Sequence, residues 1–321
     1  QAFDPEIRIA GVILNQLGGS RHESKLRAVI EHYTDVRVIG GVHRHAGLEI
    51  NERHLGLIPS NEEEASSTFI RHIREIVAAE VDLDGLLAVA GDSPIRHAPA
   101  SPPAVVASDR VRIGIARDTA FGFYYPDDLI ALEHAGAELV TVNTLSDTAL
   151  PEVDGLFIGG GFPETQMHSL AANVAMRRQI RSAIEAGLPA YAECGGLMYL
   201  CRSLQWQEQQ HEMVGVIPAD CVMHRRPQGR GYVKLRETPD MPWGSPAPAG
   251  EIAAHEFHYS ALENISEPLH YAYDVVRGTG VDGARDGIII NNLLASYTHM
   301  RDTRQHHWAR RFVDFVRHCR R

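Results

Sequence analysis

Residues 190–200 read AYAECGGLMYL: a short run of small and apolar residues, a cysteine, two glycines, then a second apolar run. The first run suits a strand and the second a helix. Cys194 then falls on the tight turn between them, where neighbouring glycines permit a backbone that few other residues tolerate. Strand, sharp turn and helix in that order predict an α/β fold, with the turn at the carboxyl edge of the sheet. In such an elbow the helix N-terminus beneath the sulfur favours thiolate, and the amide of Gly195 points toward a developing oxyanion. A buried structural cysteine is the other reading of the same residue type. Upstream, residues 156–164, LFIGGGFPE, end another strand in three glycines. The amides of Gly160 and Gly161 are candidates to complete an oxyanion hole, against the alternative of an ordinary glycine-rich turn. Two strand ends of this kind, about thirty residues apart, make a more specific pattern than either alone.

Further out, VRIGIARD, AELVTVN, VDGLFIGGG and GLPAYAEC are strand-like runs separated by helical segments such as PDDLIALEHAG and ANVAMRRQIRSAIEAG. This alternation predicts a doubly wound α/β domain over residues 111–321. The closing HHWARRFVDFVRHCRR puts Trp308, Phe312, Phe315, Val316 and Cys319 on one face of a docking helix. Near the start, IRIAGVILNQ, SKLRAVIEHY and VRVIGGV set a β-α-β rhythm with a buried-type first strand and a parallel sheet. ASSTFIRHIREIVAAEVDLDGLLAVA continues with helical spacing at Phe69, Ile70, Ile73, Ile76 and Val77. Proline, alanine and serine crowd GDSPIRHAPASPPAVVASDR, so residues 91–110 read as a linker after an N-terminal part spanning residues 1–90.

The 321 residues carry 31 basic and 41 acidic side chains, a formal charge of −10, which argues against a general nucleic-acid binder. Only Lys25 and Lys234 are lysines, so the cations are mostly arginine forks suited to carboxylates and phosphates. Cys194, Cys201, Cys221 and Cys319 contain no C-x-x-C pair, which disfavours a zinc ribbon or disulfide scaffold and favours a reducing compartment. Cys201 is expected on the helix after Cys194, packed as a small hydrophobe. No run reaches membrane-spanning length and the first apolar run is too short for a signal peptide. A soluble, cytoplasmic protein with small-molecule partners and no membrane is expected. The strand-like run so close to Gln1 suggests that sequence precedes it.

GGGFPE, YAECGGLMYL and the late SYTHM (residues 296–300) resemble the class I glutamine amidotransferase domain of the cobyrinic acid a,c-diamide synthase family. The likeness is broader than these motifs. ARDTAFGFYYPDDLIALEHAGAEL, GRGYVKL and AHEFHYS follow the family in order, as do GVILNQLGGSRHESKL and ERHLGLIPSNE, so nearly the whole chain is covered. The resemblance implies two doubly wound α/β domains. Residues 1–90 would be the C-terminal part of a P-loop ATPase-like (dethiobiotin-synthetase-like) amidoligase domain, and residues 111–321 a flavodoxin-like class I glutamine amidotransferase domain. It implies a glutamine-hydrolysing carbon–nitrogen ligase in which Cys194 hydrolyses L-glutamine. With ATP and Mg²⁺, the ammonia would amidate the a and c acetate side chains of cobyrinic or hydrogenobyrinic acid in cobalamin biosynthesis. The partners are then glutamine and a tetrapyrrole, corrinoid or sirohydrochlorin-type, with a homodimer left open.

Among 18 histidines, the resemblance singles out His299 in SYTHM as the thiol's base, and the strand-like GIIINNLLASYT before it leads to the edge that holds Cys194. Many class I amidotransferases carry a glutamate two residues after that histidine; here that place is Arg301. The cobyrinate-type branch resembles a Cys–His dyad, and the orienting group stays open. In AAHEFHYS, His255, Phe257 and Tyr259 alternate with Glu256 and His258 as strand side chains do. The spacing is not H-E-x-x-H, which favours a packed pair over a metal site. The family carries a similar run, so Glu256 and His258 are candidates to support the glutamine site or the ammonia route.

The family's ATPase domain opens with a Walker A loop, yet G-x-x-x-x-G-K-[ST] does not occur and neither lysine follows a glycine. The simplest expectation puts that loop upstream of residue 1. Asn15, at the end of GVILNQ, occupies a place resembling the nucleotide-base reader of related ATPases and equally suits a strand-end turn. His43, Arg44, His45, Arg53 and His54 read as a solvated polar loop or as contacts to substrate carboxylates. Three competing functions stand beside the leading one. One is the same amidation on a sirohydrochlorin-type ring, as in nickel-sirohydrochlorin or sirohaem. Another is a non-catalytic or glutaminase-only remnant acting as a binding module, and the last a cysteine hydrolase of another amide.

Overall fold

Parallel pairing forms wherever apolar runs alternate with amphipathic helices. The computed structural model describes residues 7–48, 63–91, 109–244 and 250–320, and the chain divides into two units, Gln1–Ser101 and Pro102–Arg321. The sequence supplies α/β units in both. The linker reading of 91–110 falls mostly on residues 92–108, outside the described residues, as do Arg53 and His54.

In the first unit, β1 (Gly11–Leu17) and β2 (Arg37–His43) pair in parallel from Gly11↔Arg37 to Leu17↔His43, joined by α1 (Ser20–Tyr33). Two further helices follow, α2 (Glu63–Glu80) and α3 (Leu83–Gly91). The helical pattern over residues 65–90 is broken in two because the Asp82 carboxylate accepts the N–H of Gly85 at 2.9 Å, while its own N–H donates to the Ile39 carbonyl at 2.8 Å. An aspartate that caps a new first turn ends the old helix. The expectation of a buried first strand fails: β1 buries Leu17 but leaves Ile13 43% exposed, and β2 supplies the core through Ile39 and Val42.

The second unit runs β3 (Val111–Ala116), β4 (Phe121–Phe123), α4 (Pro126–His134), β5 (Ala137–Val142), β6 (Gly155–Ile158) and β7 (Gly160–Gly161). After them come α5 (Met167–Ala172), α6 (Val174–Glu185), β8 (Ala190–Glu193) and α7 (Gly195–Leu200). Next are β9 (Cys201–Trp206), β10 (Gln209–Glu212), β11 (Ile217–Met223), β12 (Gly229–Glu237), β13 (Ile252–His258) and β14 (Ser260–Glu263). The chain closes with β15 (His270–Arg277), β16 (Arg285–Ile290), β17 (Leu293–Ser296) and α8 (Trp308–Cys319). One nine-stranded sheet has the order β13-β12-β15-β16-β17-β8-β6-β3-β5. Its last five strands are parallel, and the others extend it in antiparallel fashion.

Both faces of this sheet are covered, which is why its parallel strands read as continuous apolar runs. On one face α4 and α8 deliver Leu132, Trp308, Phe312, Val313 and Val316. Burying side chains of this size contributes roughly 1.5–3 kcal/mol each. The other face packs Ile180 and Ile184 of α6 and Leu197 of α7, together with residues of a second, four-stranded sheet ordered β10-β9-β11-β14. That second sheet was not foreseen, and it corrects the expectation for Cys201, which opens β9 instead of riding α7. Its thiol is buried all the same and donates to the Leu197 carbonyl at 3.3 Å. The run GIIINNLLASYT is a hairpin, with Asn291 turning the chain at φ 51° between β16 and β17. No helix among the described residues is long and apolar enough to cross a membrane.

Candidate active site

Strand β8 ends at Glu193, and Cys194 follows with φ 46° and ψ −97° before α7 begins. A side chain held in so sparsely populated a conformation costs on the order of 1–3 kcal/mol, and the surroundings must enforce it. Two contacts do so. The N–H of Cys194 donates to the Ser296 carbonyl at the end of β17 at 2.7 Å, and its carbonyl accepts the N–H of Met198 at 3.0 Å. Beneath the turn the backbone closes to a distance only glycine allows: a Cβ on Gly196 would lie 2.1 Å from the Ile158 carbonyl oxygen. Cys194 is 8% exposed, at the carboxyl edge of the parallel strands.

The glycines expected beside it are there. Gly160 and Gly161 form β7, paired with β4, and a Cβ on Gly161 would stand 1.9 Å from the Ala120 carbonyl. A Cβ on Gly195 would meet the Gly161 nitrogen at 2.9 Å, and one on Gly160 would meet His299 Cε1 at 2.7 Å. The two glycine turns and the histidine therefore close on one point.

His299 arrives because β17 lies parallel to β8, with Ser296 opposite Glu193. The buried Asp286 carboxylate of β16 shapes the path. It accepts the backbone N–H groups of Tyr297 and Thr298, each at 3.0 Å, and the hydroxyls of Ser296 and Thr298. The His299 ring places Nδ1 3.3 Å from Glu193 Oε2, stacks on the His255 ring at 5.0 Å between centroids, and interacts with the neighbouring Cys194 thiol. Burial opposes charge on this imidazole, but the bonds to Cys194 and Glu193 override it and push its pKa up to about 10. An imidazole so biased takes the thiol proton readily. The reverse holds for His255, where burial and the charge of His299 push the ring down.

Arg301, in the place where many class I amidotransferases carry a glutamate, turns toward α4, where it pairs with Asp127 at 3.2 Å and with Asp128 at 3.6 Å. The acid at His299 is Glu193, against Nδ1. The alternation of residues 254–260 also holds, burying Glu256 and His258. Glu256 accepts the N–H groups of Thr279 at 2.7 Å and Gly280 at 2.8 Å. Burial alone would raise its pKa; the partner His258 and these two amides hold it below the usual carboxylate range. The His258 ring faces Tyr297 at 3.9 Å, with Nδ1 on the Ser260 carbonyl at 2.8 Å. Phe257, between them, presents its carbonyl 3.9 Å from the Cys194 sulfur.

A cavity of about 470 Å³ lies along this strand, lined by Tyr125, Arg230, Gly231, Tyr232, His255, Glu256 and Phe257. It shares His255 and Phe257 with the surroundings of His299 and Cys194, and it has the volume of a small-molecule site. Arg230, from GRGYVKL, and Tyr125, from the run FYYPDD, bring polar groups to it. Asn15, in the first unit, is exposed near the end of β1, its side chain accepting the N–H of Gln16 at 2.8 Å. His43 and His45 both lie against Glu80, at 3.0 and 3.2 Å.

Residues 112–305 match the family of CobB/CobQ-like glutamine amidotransferase domains. A protein of Magnetococcus marinus named cobyrinate a,c-diamide synthase is 43% identical over 94% of this chain, and one of that name from Archaeoglobus fulgidus is 41% identical over 97%. The chain spans 65% and 67% of their respective lengths. Among solved structures, PurLQS from Thermotoga maritima shares the fold, with a TM-score of 0.50 at 16% identity over 65% of this chain and 98% of its own. The chain thus belongs to the CobB/CobQ-like glutamine amidotransferases, in the family whose curated members are named cobyrinate a,c-diamide synthase.

Proposed function

We propose that this chain hydrolyses L-glutamine at Cys194 and His299, and that the ammonia serves amidation of a tetrapyrrole carboxylate in cobalamin biosynthesis. The observation that carries this reading is a strained cysteine at the carboxyl end of β8 beside a buried histidine that a carboxylate engages. His299 takes the thiol proton as the sulfur attacks the side-chain amide carbon of glutamine. The carbonyl oxygen gathers negative charge opposite the amides of Gly195 and Gly161. His299 returns the proton to the leaving nitrogen, ammonia departs, and water attacks the thioester to release glutamate and restore the thiol. The adjacent cavity suits the amino-acid end of the substrate, with Arg230 for its carboxylate. Glu256 and His258 support the wall from behind by fixing residues 279–280 and Tyr297.

For the whole protein, the names of the relatives favour cobyrinic or hydrogenobyrinic acid, amidated at the a and c acetates. ATP and Mg²⁺ belong to that reaction by the same reading, with Asn15 as a candidate contact to the nucleotide base. The residues present do not fit them: the sequence contains no phosphate-cradling loop, and among the described residues no group of histidine, cysteine, aspartate and glutamate could hold a metal ion. The phosphorylating half-reaction is therefore assigned to no residue here. Release of glutamate and ammonia from glutamine, measured for wild type and Cys194→Ser, tests the reading. Turnover in the wild type with loss in the variant supports it, and no turnover, or equal turnover, overturns it.

A further inference from the structure

We propose that Glu193, the residue before the nucleophile, is the positioning carboxylate of this site, the acid that sets the tautomer and orientation of His299. The inference rests on the glutaminase reading and deepens it.

Glu193 is 4% exposed at the end of β8, in a strand whose other side chains are apolar or aromatic. An acid there must be satisfied by the protein. Its two oxygens divide the task. Oε1 accepts the Tyr191 hydroxyl at 2.6 Å and the backbone N–H of Met300 at 3.1 Å. Oε2 is thereby left for His299 Nδ1 at 3.3 Å. With Nδ1 engaged as a donor, Nε2 is the acceptor that remains for the Cys194 proton. When that proton arrives, the imidazolium lies between a thiolate and a carboxylate, both shielded from water, and the carboxylate stabilises its positive charge. The Met300 contact adds a second anchor, because it ties the same carboxylate to the chain one residue beyond His299. Orientation thus comes from the nucleophile's own strand, with Arg301 drawn away to α4.

Replacement by glutamine is the informative change. The two donors on Oε1 hold the amide oxygen in place, so the amide nitrogen takes the position of Oε2 and donates to Nδ1. The ring is driven to the Nε2–H tautomer, which cannot accept the thiol proton. Other titratable groups facing this pair are His255 on β13, Asp128 on α4, Tyr125 just before it, and the phenols Tyr124 and Tyr273. Burial raises both phenols far above neutrality. Asp128, raised by burial to about 6, and His255, whose ring is pushed down by burial and by His299, are the groups that need controls.

Two readouts test the proposal. Glutamine turnover by Glu193→Gln is expected to fall on the order of 10²-fold or more in kcat, the scale of a wrong histidine tautomer. KM should change less than about threefold, and Glu193→Asp should recover part of the rate. The second readout needs no substrate: alkylation of Cys194 by iodoacetamide against pH, with Cys194→Ser as the background. Glu193→Gln should slow alkylation about tenfold or more at neutral pH and move its acidic limb upward, and the move must persist in Asp128→Asn and His255→Gln backgrounds. Unchanged alkylation in a folded Glu193→Gln protein overturns the positioning role even if the wild type hydrolyses glutamine. A wild type that hydrolyses no glutamine but shows the alkylation shift overturns the glutaminase reading and leaves Glu193 as the partner of His299.

Discussion

Two glutamate–histidine pairs are buried in the second unit, and they differ in what each histidine can still do. At the end of β8, Glu193 engages His299 Nδ1 at 3.3 Å, and the same ring interacts with the Cys194 thiol. On β13, Glu256 lies 3.7 Å from His258 Nε2, while its oxygens are taken by two amides, and the ring is pinned flat against Tyr297 with Nδ1 on a carbonyl. Burial and proximity are common to both. A base requires in addition a neighbouring group that can lose a proton, and beside the first pair stands the Cys194 thiol.

The largest expected effect is at the sulfur itself: Cys194→Ala should lower glutamine turnover by about 10³-fold or more, read as glutamate release. His299→Ala should cost roughly 10²–10³-fold in kcat. Asp286→Asn, which weakens the bonds holding residues 296–298, should lower kcat about tenfold and lower the melting temperature by several degrees. The contrast is sharpest at Glu256→Gln: turnover within about threefold of wild type, but stability lower by about 1–3 kcal/mol in denaturant titration. A loss of kcat as large as that of Glu193→Gln would dissolve the distinction between the pairs.

The smallest effects are on pH dependence, and they run in opposite directions. The native pKa of Glu256 is held below its unfolded value, so its contribution is present above that unfolded value, about 4.3. It is lost as pH falls through the lower native value. The melting-temperature gap between wild type and Glu256→Gln should close only in acid. His299 is raised to about 10, so its contribution is complete below the unfolded value near 6.5 and is lost as pH rises through about 10. The gap to His299→Ala should close in alkali.

What the sequence disclosed was local. Cys194 between a small apolar run and two glycines announces a strand, a bend and a helix, because each signal lies within a few residues of the next. His299 was reached through family resemblance and the strand before it. Glu193 was not, since its partner is 106 positions away and nothing in AYAE says which face an acid will meet. A charged residue closing an otherwise apolar strand was the only trace. The second sheet was missed for a similar reason: GGLMYLC has helical composition, and only the pairing of β9 with β10 and β11 draws Cys201 into a strand. In the first unit, apolar composition suggested a buried β1, whereas solvent contact is decided by what covers a strand.

The parallel register of β17 on β8 gives the site a kinetic property as well as a geometric one. Cys194 and His299 lie about a hundred residues apart in the chain, and the ladder that joins them closes only after both strands have been made. A ribosome must release the segment through Met300 before the imidazole can reach the sulfur. A chain that stops before β17 carries Cys194 without His299, so on the proposed reading it releases no ammonia.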